Sequence, residues 1–161
     1  MATCWRIVKS RHAATAFDGE GARLYGGRWN SPGTPMVYTS STISLAVLEV
    51  LVHVQEASLL SSYSLIAGRF DDAFVERLDR SMLPEGWRAY PAPSELQRMG
   101  DQWVRNQRSA VYEVPSVIVE RESNYLLNPA HLDFSSVVIG EPEPFTFDER
   151  LLAGPGDASG Q

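Results

Sequence analysis

The sequence predicts an α+β domain built on a mostly antiparallel sheet with flanking helices. Short apolar or alternating runs, bracketed by Gly, Pro, Asn, Asp and Ser, recur along the chain and read as strands. Two longer runs carry helical spacing, and strands and helices do not alternate in a regular βαβ rhythm. At 161 residues and 17.8 kDa the chain fits one domain with a substantial core.

In chain order, strands are expected over Cys4–Lys9, Met36–Ser40, Tyr63–Phe70, Val111–Glu120 and Ser136–Ile139. Pro115 inside the fourth implies an edge position or a bulge, because proline cannot donate to a ladder. Between the first two strands, residues 18–35 hold Gly19, Gly21, Gly26, Gly27, Gly33, Pro32 and Pro35, which predicts a long loop of the kind that carries function. Ser41 or Thr42 is placed to cap a helix reaching about Glu56, apolar nearly all round and therefore expected to be buried. Ser94 and Gln97 suggest a capping box for a second helix to about Gln107, amphipathic through Leu96, Met99 and Trp103. The small, polar tail GPGDASGQ at 154–161 reads as disordered, leaving 1–153 as the domain.

Charge narrows the function classes. A net charge of −6 and a pI near 5.0 argue against direct binding to long nucleic acid, whose phosphates reward a basic face. The charge is uneven: within residues 1–30, Arg6, Lys9, Arg11, Arg23 and Arg28 face Asp18 and Glu20, a local net of +3. A small basic lobe suits a small anionic ligand, although chance scatter of arginines gives the same sum. Cys4 is the single cysteine, so no disulfide framework exists within the chain and a reducing cytoplasm is expected. Neither an export signal nor a membrane span is evident, because Glu49 and His53 interrupt the most apolar stretch.

Four positions stand out for chemistry. Glu49 lies inside the apolar helix, where a carboxylate is costly unless it faces a cleft or pairs with a cation. A structural ion pair or a route to solvent would explain it equally. Arg28 sits in GGRWNSPG (26–33), where glycines let a ligand approach the backbone and a guanidinium offers a planar fork to phosphate. Its alternative role is to fix the loop. Tyr38, at the end of a strand, and Ser116, after Pro115, are candidate ligand contacts with structural alternatives of their own. Asn124 and Asn128 are expected to hold the turn around Pro129. The histidines at 12, 53 and 131 lack ligand spacing, so no metal site is expected.

In combination these segments resemble the RES-domain toxins that pair with Xre-type antitoxins. The resemblance rests on WRIVKSRHAATAFDGEGARLYGGRWNSPGTPMVYTS (5–40), SLAVLEVLVH (44–53) and VPSVIVERESNYLLNP (114–129), which follow in order over most of the chain. It implies an ADP-ribosyltransferase-like fold around an NAD-binding cleft, with NAD+ as substrate and no metal. It further implies that Arg28, Tyr38, Glu49 and Ser116 carry the site, with Arg6 as an additional NAD contact. The implied activity is growth inhibition by cleaving the nicotinamide–ribose bond, through hydrolysis or phosphorolysis. ADP-ribosylation of a specific metabolic enzyme is the alternative, and a non-catalytic binding module a second one. An Xre-type antitoxin and a homodimer within a larger toxin–antitoxin complex are the implied partners.

Overall fold

The computed structural model describes residues 1–53 and 61–151. Among them, eight strands form one sheet: β1 (Ala2–Lys9), β2 (Val37–Ser40), β3 (Tyr63–Phe70), β4 (Val75–Arg77), β5 (Val111–Pro115), β6 (Ser123–Leu127), β7 (Val138–Ile139) and β8 (Glu143–Phe145). The order across the sheet is β4-β5-β6-β2-β1-β3-β7, with β8 also pairing β3. Every pairing is antiparallel except that of β4 with β5. Three α-helices among the described residues accompany it: α1 (Glu20–Tyr25), α2 (Ile43–His53) and α3 (Ser94–Asn106). Among the described residues no helix is long and apolar enough to cross a membrane.

Register shows which side chains share a face. Trp5 pairs Ser40, Ser40 pairs Asn124, and Asn124 pairs Val114, so these four form one row across β1, β2, β6 and β5. Tyr38, Leu126 and Tyr112 form the next row on the same face. This face is covered in two halves. On one half Met36, Tyr112, Val114 and Leu126 pack against Leu96, Trp103 and Val104 of α3. On the other, Ile7, Tyr63 and Leu65 meet Ala46 of α2 and Phe147. The opposite face buries Cys4, Val37, Ile66, Phe70, Val111 and Leu127 against Ala16, Phe17 and Val137. Each fully buried Leu or Phe contributes roughly 1.5–3 kcal/mol.

Several elements differ from their expected form. The Gly-rich region contains α1, whose flanking Gly19 and Gly26 both adopt positive φ and terminate the turn on either side. The strand expected to reach Glu120 ends at Pro115; Leu78 already takes the Glu113 carbonyl, and the chain then turns back into β6. Pro115 therefore closes a ladder rather than marking an edge strand. Ser136 belongs to a 3₁₀ turn, leaving only Val138–Ile139 as strand. No capping box forms on α3: no side chain caps its N-terminus, and Gln97 bonds elsewhere. Thr42 does cap α2, accepting the Leu45 N–H at 3.1 Å. That helix buries Leu45 and Ala46 but leaves Leu48 and Val52 exposed, so its all-round apolarity does not mean all-round burial. Its expected extension to Glu56 and the tail 154–161 lie outside the described residues.

Candidate active site

The site lies where the two helix-covered halves of the sheet meet, and its wall is the loop over residues 26–33. Asn30 is fully buried and organises that loop. Its Nδ2 donates to the carbonyls of Ala22 at 2.8 Å and Thr34 at 2.9 Å, while Oδ1 accepts the Tyr38 hydroxyl at 2.6 Å. Gly27 is required here, since a Cβ would lie 2.6 Å from Tyr38 Oη. From outside, α3 clamps the loop. Gln97 Nε2 donates to the carbonyls of Gly27 and Asn30 at 3.0 and 3.1 Å. Asp101 Oδ1 accepts the Ser31 N–H at 2.9 Å, and Gly100 lies so close to the Trp29 carbonyl that a side chain has no room. Trp29 is buried and anchors the loop in the core.

Arg28 projects from this fixed frame. Its Nη1 donates to the carbonyls of Trp87 at 2.9 Å and Ala89 at 3.1 Å, which ties the 84–89 segment to the rim of the cleft. Its described partners are carbonyls only, leaving Nε and Nη2 for an anion. Burial lowers its pKa, and the nearby Glu49 and Tyr38 push it back up. A guanidinium stays charged under such shifts. Glu49 is half-buried on α2, with Oε1 accepting the Asn124 amide at 2.8 Å. Tyr38 is held by its hydroxyl, which donates to Asn30 and accepts the Trp29 N–H at 3.0 Å. Burial drives that hydroxyl far above its ordinary pKa, so it stays a neutral donor.

Arg28 thus lies near both Tyr38 and Glu49, whereas Ser116 and Arg6 are placed differently. Ser116 is fully enclosed, and its Oγ accepts the N–H groups of Ile118 and Val119, each at 3.1 Å. It fastens the turn between β5 and β6 and presents no surface to the cleft. Arg6 alternates with Trp5 and Ile7, so it leaves β1 from the opposite face, beside Cys4 and Asp18. Its Nη1 donates to the Tyr38 carbonyl at 2.7 Å, beyond the single register pair that joins β1 to β2. Burial lowers its pKa, and its Nε is buried without a partner among the described residues.

Sequence reasoning misses Asn124, which it places at the turn before Pro129. Asn128 alone does that work, accepting the Ala130 N–H at 3.0 Å. Asn124 sits inside β6 and faces Glu49, a partner 75 residues earlier. Polar alternation through Ser123-Asn124-Tyr125 is the available signal for a strand.

Known proteins share this outline. The model of the RES domain family matches residues 3–148. This chain belongs to the RES domain family of toxins. The protein named Toxin Res from Yersinia enterocolitica is 40% identical over 148 residues, spanning 91% of this chain and 97% of the relative. The Prs ADP-ribosylating toxin of Sphingobium sp. is 37% identical over 153 residues, spanning 92% and 95%. The crystal structure of the M. tuberculosis MbcT–MbcA toxin–antitoxin complex superposes with a TM-score of 0.71 at 21% identity, covering 90% of this RES domain and 84% of that chain. The architecture of this RES domain, a strongly curved sheet with flanking helices, is therefore a shared one.

Proposed function

We propose that this RES-domain toxin inhibits growth by cleaving the nicotinamide–ribose bond of NAD+. The observation that supports the reading is that Arg28 lies near both Glu49 and Tyr38, each of which raises the pKa of its guanidinium. Arg28 would clamp the pyrophosphate through its two free nitrogens. The Tyr38 ring, fixed by its hydroxyl, would pack against nicotinamide. Glu49 keeps Oε2 for the ribose.

In the reaction the C1′–N bond breaks and its electron pair neutralises the pyridinium nitrogen. Positive charge develops on the ribose, as in glycoside cleavage, and the Glu49 carboxylate stabilises it. Water or inorganic phosphate then adds at C1′; water loses a proton as it does so. Ser116 and Arg6 serve this site as braces, Ser116 by holding its turn and Arg6 by holding β2.

A second reading, transfer of ADP-ribose to a protein, is favoured by the likeness to the Prs ADP-ribosylating toxin. An Xre-type antitoxin, a homodimeric assembly and action in the cytoplasm complete the proposal; the fold shared with a toxin from a toxin–antitoxin complex supports the antitoxin. The test is nicotinamide release from NAD+ by the purified chain, with mass spectrometry of the products with and without phosphate. Free or phosphate-bound ADP-ribose supports NAD+ depletion. ADP-ribose found only on protein replaces it with the second reading, and no nicotinamide release sinks both.

A further inference from the structure

Asn124 occupies a position that fold stability alone does not explain. It lies in the middle of the sheet, on β6, paired with Ser40 on one side and Val114 on the other. Its Nδ2 donates to Glu49 Oε1 at 2.8 Å, across 75 residues of sequence. The orientation of the amide is dictated by its partner, because an ionised carboxylate only accepts and Oδ1 turned toward it would repel. That orientation leaves Asn124 Oδ1 buried with no donor among the described residues. Buried polar atoms are nearly always paired, so an amide retained at the cost of an unpaired carbonyl points to function.

We infer that Asn124 is a positioning residue for Glu49. The inference rests on the role proposed above for Glu49 and deepens it. A glutamate on a helix has three side-chain torsions to settle, and α2 leaves this one only half-buried. Fixing Oε1 from a rigid central strand selects one rotamer and presents Oε2 to the ribose. Arg28 in the loop lies near that carboxylate, Tyr38 stands one row along on the same face of the sheet as Asn124, and His53 follows Glu49 by one turn along α2. None of them bonds to it, so among the described residues the amide is the contact that sets its direction.

Nicotinamide release is measured for wild type, Glu49→Gln, Asn124→Ala and Asn124→Asp between about pH 5 and pH 8, with thermal melts on each. Asn124→Ala is expected to lower kcat by about 10²-fold with a smaller change in KM, the scale of a misplaced catalytic group. Asn124→Asp is isosteric and supplies the sharper result. In that variant the introduced carboxyl, when protonated, donates to Glu49 as the amide does, whereas two ionised carboxylates repel. Its activity relative to wild type should therefore rise at least about tenfold as pH falls across that range, while the pair regains a shared proton.

A structural role alone would leave that ratio flat in pH, and a flat ratio in a folded Asn124→Asp protein overturns the inference while the Glu49 role stands. Full activity in Glu49→Gln overturns both. Should Asn124→Asp not fold, a folded Asn124→Ala with wild-type kcat overturns the inference equally.

Discussion

The Tyr38 hydroxyl donates to the buried Oδ1 of Asn30 at 2.6 Å, and through that one bond the strand at the cleft floor is fastened to the loop that carries Arg28. The same oxygen accepts the Trp29 N–H, so removing it leaves two buried groups unpaired. Tyr38→Phe is expected to destabilise the fold by about 1–3 kcal/mol in urea denaturation and to lower nicotinamide release, although the ring is kept. Unchanged stability would show that the hydroxyl does not hold the loop.

Ser116→Ala should separate stability from chemistry. Its Oγ serves two backbone N–H groups and faces no cleft. The expected cost is about 1–3 kcal/mol of stability, with KM for NAD+ unchanged in the folded protein. A KM raised tenfold at unchanged stability would return Ser116 to direct contact with the substrate.

Arg28→Lys retains charge but loses the fork. A lysine gathers its three donors on one nitrogen and cannot both hold the Trp87 and Ala89 carbonyls and clamp a pyrophosphate. Activity is expected to fall by about 10²–10³-fold, and non-specific proteolysis within residues 84–89 to quicken. Wild-type kinetics in this variant would remove Arg28 from the anion site.

Alkaline pH should weaken the fold in a defined window. Burial pushes the Cys4 thiol from its ordinary value near 9 up to about 11, the Tyr112 hydroxyl up to about 12, and Tyr38 higher still. A group whose folded pKa is raised contributes stability that is present below the unfolded value and is lost as pH rises through the folded one. For Cys4 that loss falls between about pH 9 and pH 11 and is on the order of 2–3 kcal/mol. The urea midpoint should hold to about pH 9 and then fall. Cys4→Ala should start lower, from the cavity, and fall less steeply; parallel slopes would deny the thiol this role.

Much of the fold was legible because its signals are local. The strand Tyr63–Phe70 matches its expectation to the residue, and α3 ends one residue short of its own. α1 was hidden by the glycines that bound it, and β6 by Asn124 and Tyr125, whose sheet position depends on β5 and β2 rather than on their own propensity. Glu49 and Arg28 stand out because a carboxylate in an apolar helix and a guanidinium in a glycine-rich loop are unusual, whereas Tyr38 is an ordinary strand residue that only the family resemblance singles out. Nothing local distinguishes Asn124: its meaning lies in a partner on α2. Nor could Gln97 reveal that it braces the loop instead of its own helix end, since either role asks the same amide to donate or accept nearby.

The sheet order also bears on how such a molecule is made. β2 meets β1 at one register pair but lies along β6 over its whole length, from Val37–Leu127 to Ser40–Asn124. Arg28, Tyr38 and Glu49 all leave the ribosome within the first third of the chain, yet β6, which pairs with the strand of Tyr38 and bonds Glu49, follows only at Ser123–Leu127. A nascent fragment holding all three therefore still lacks the strand along which β2 lies and the amide that bonds Glu49. On the reading proposed above, the site is complete only once β6 has been made, which leaves an antitoxin most of the span of translation in which to be ready.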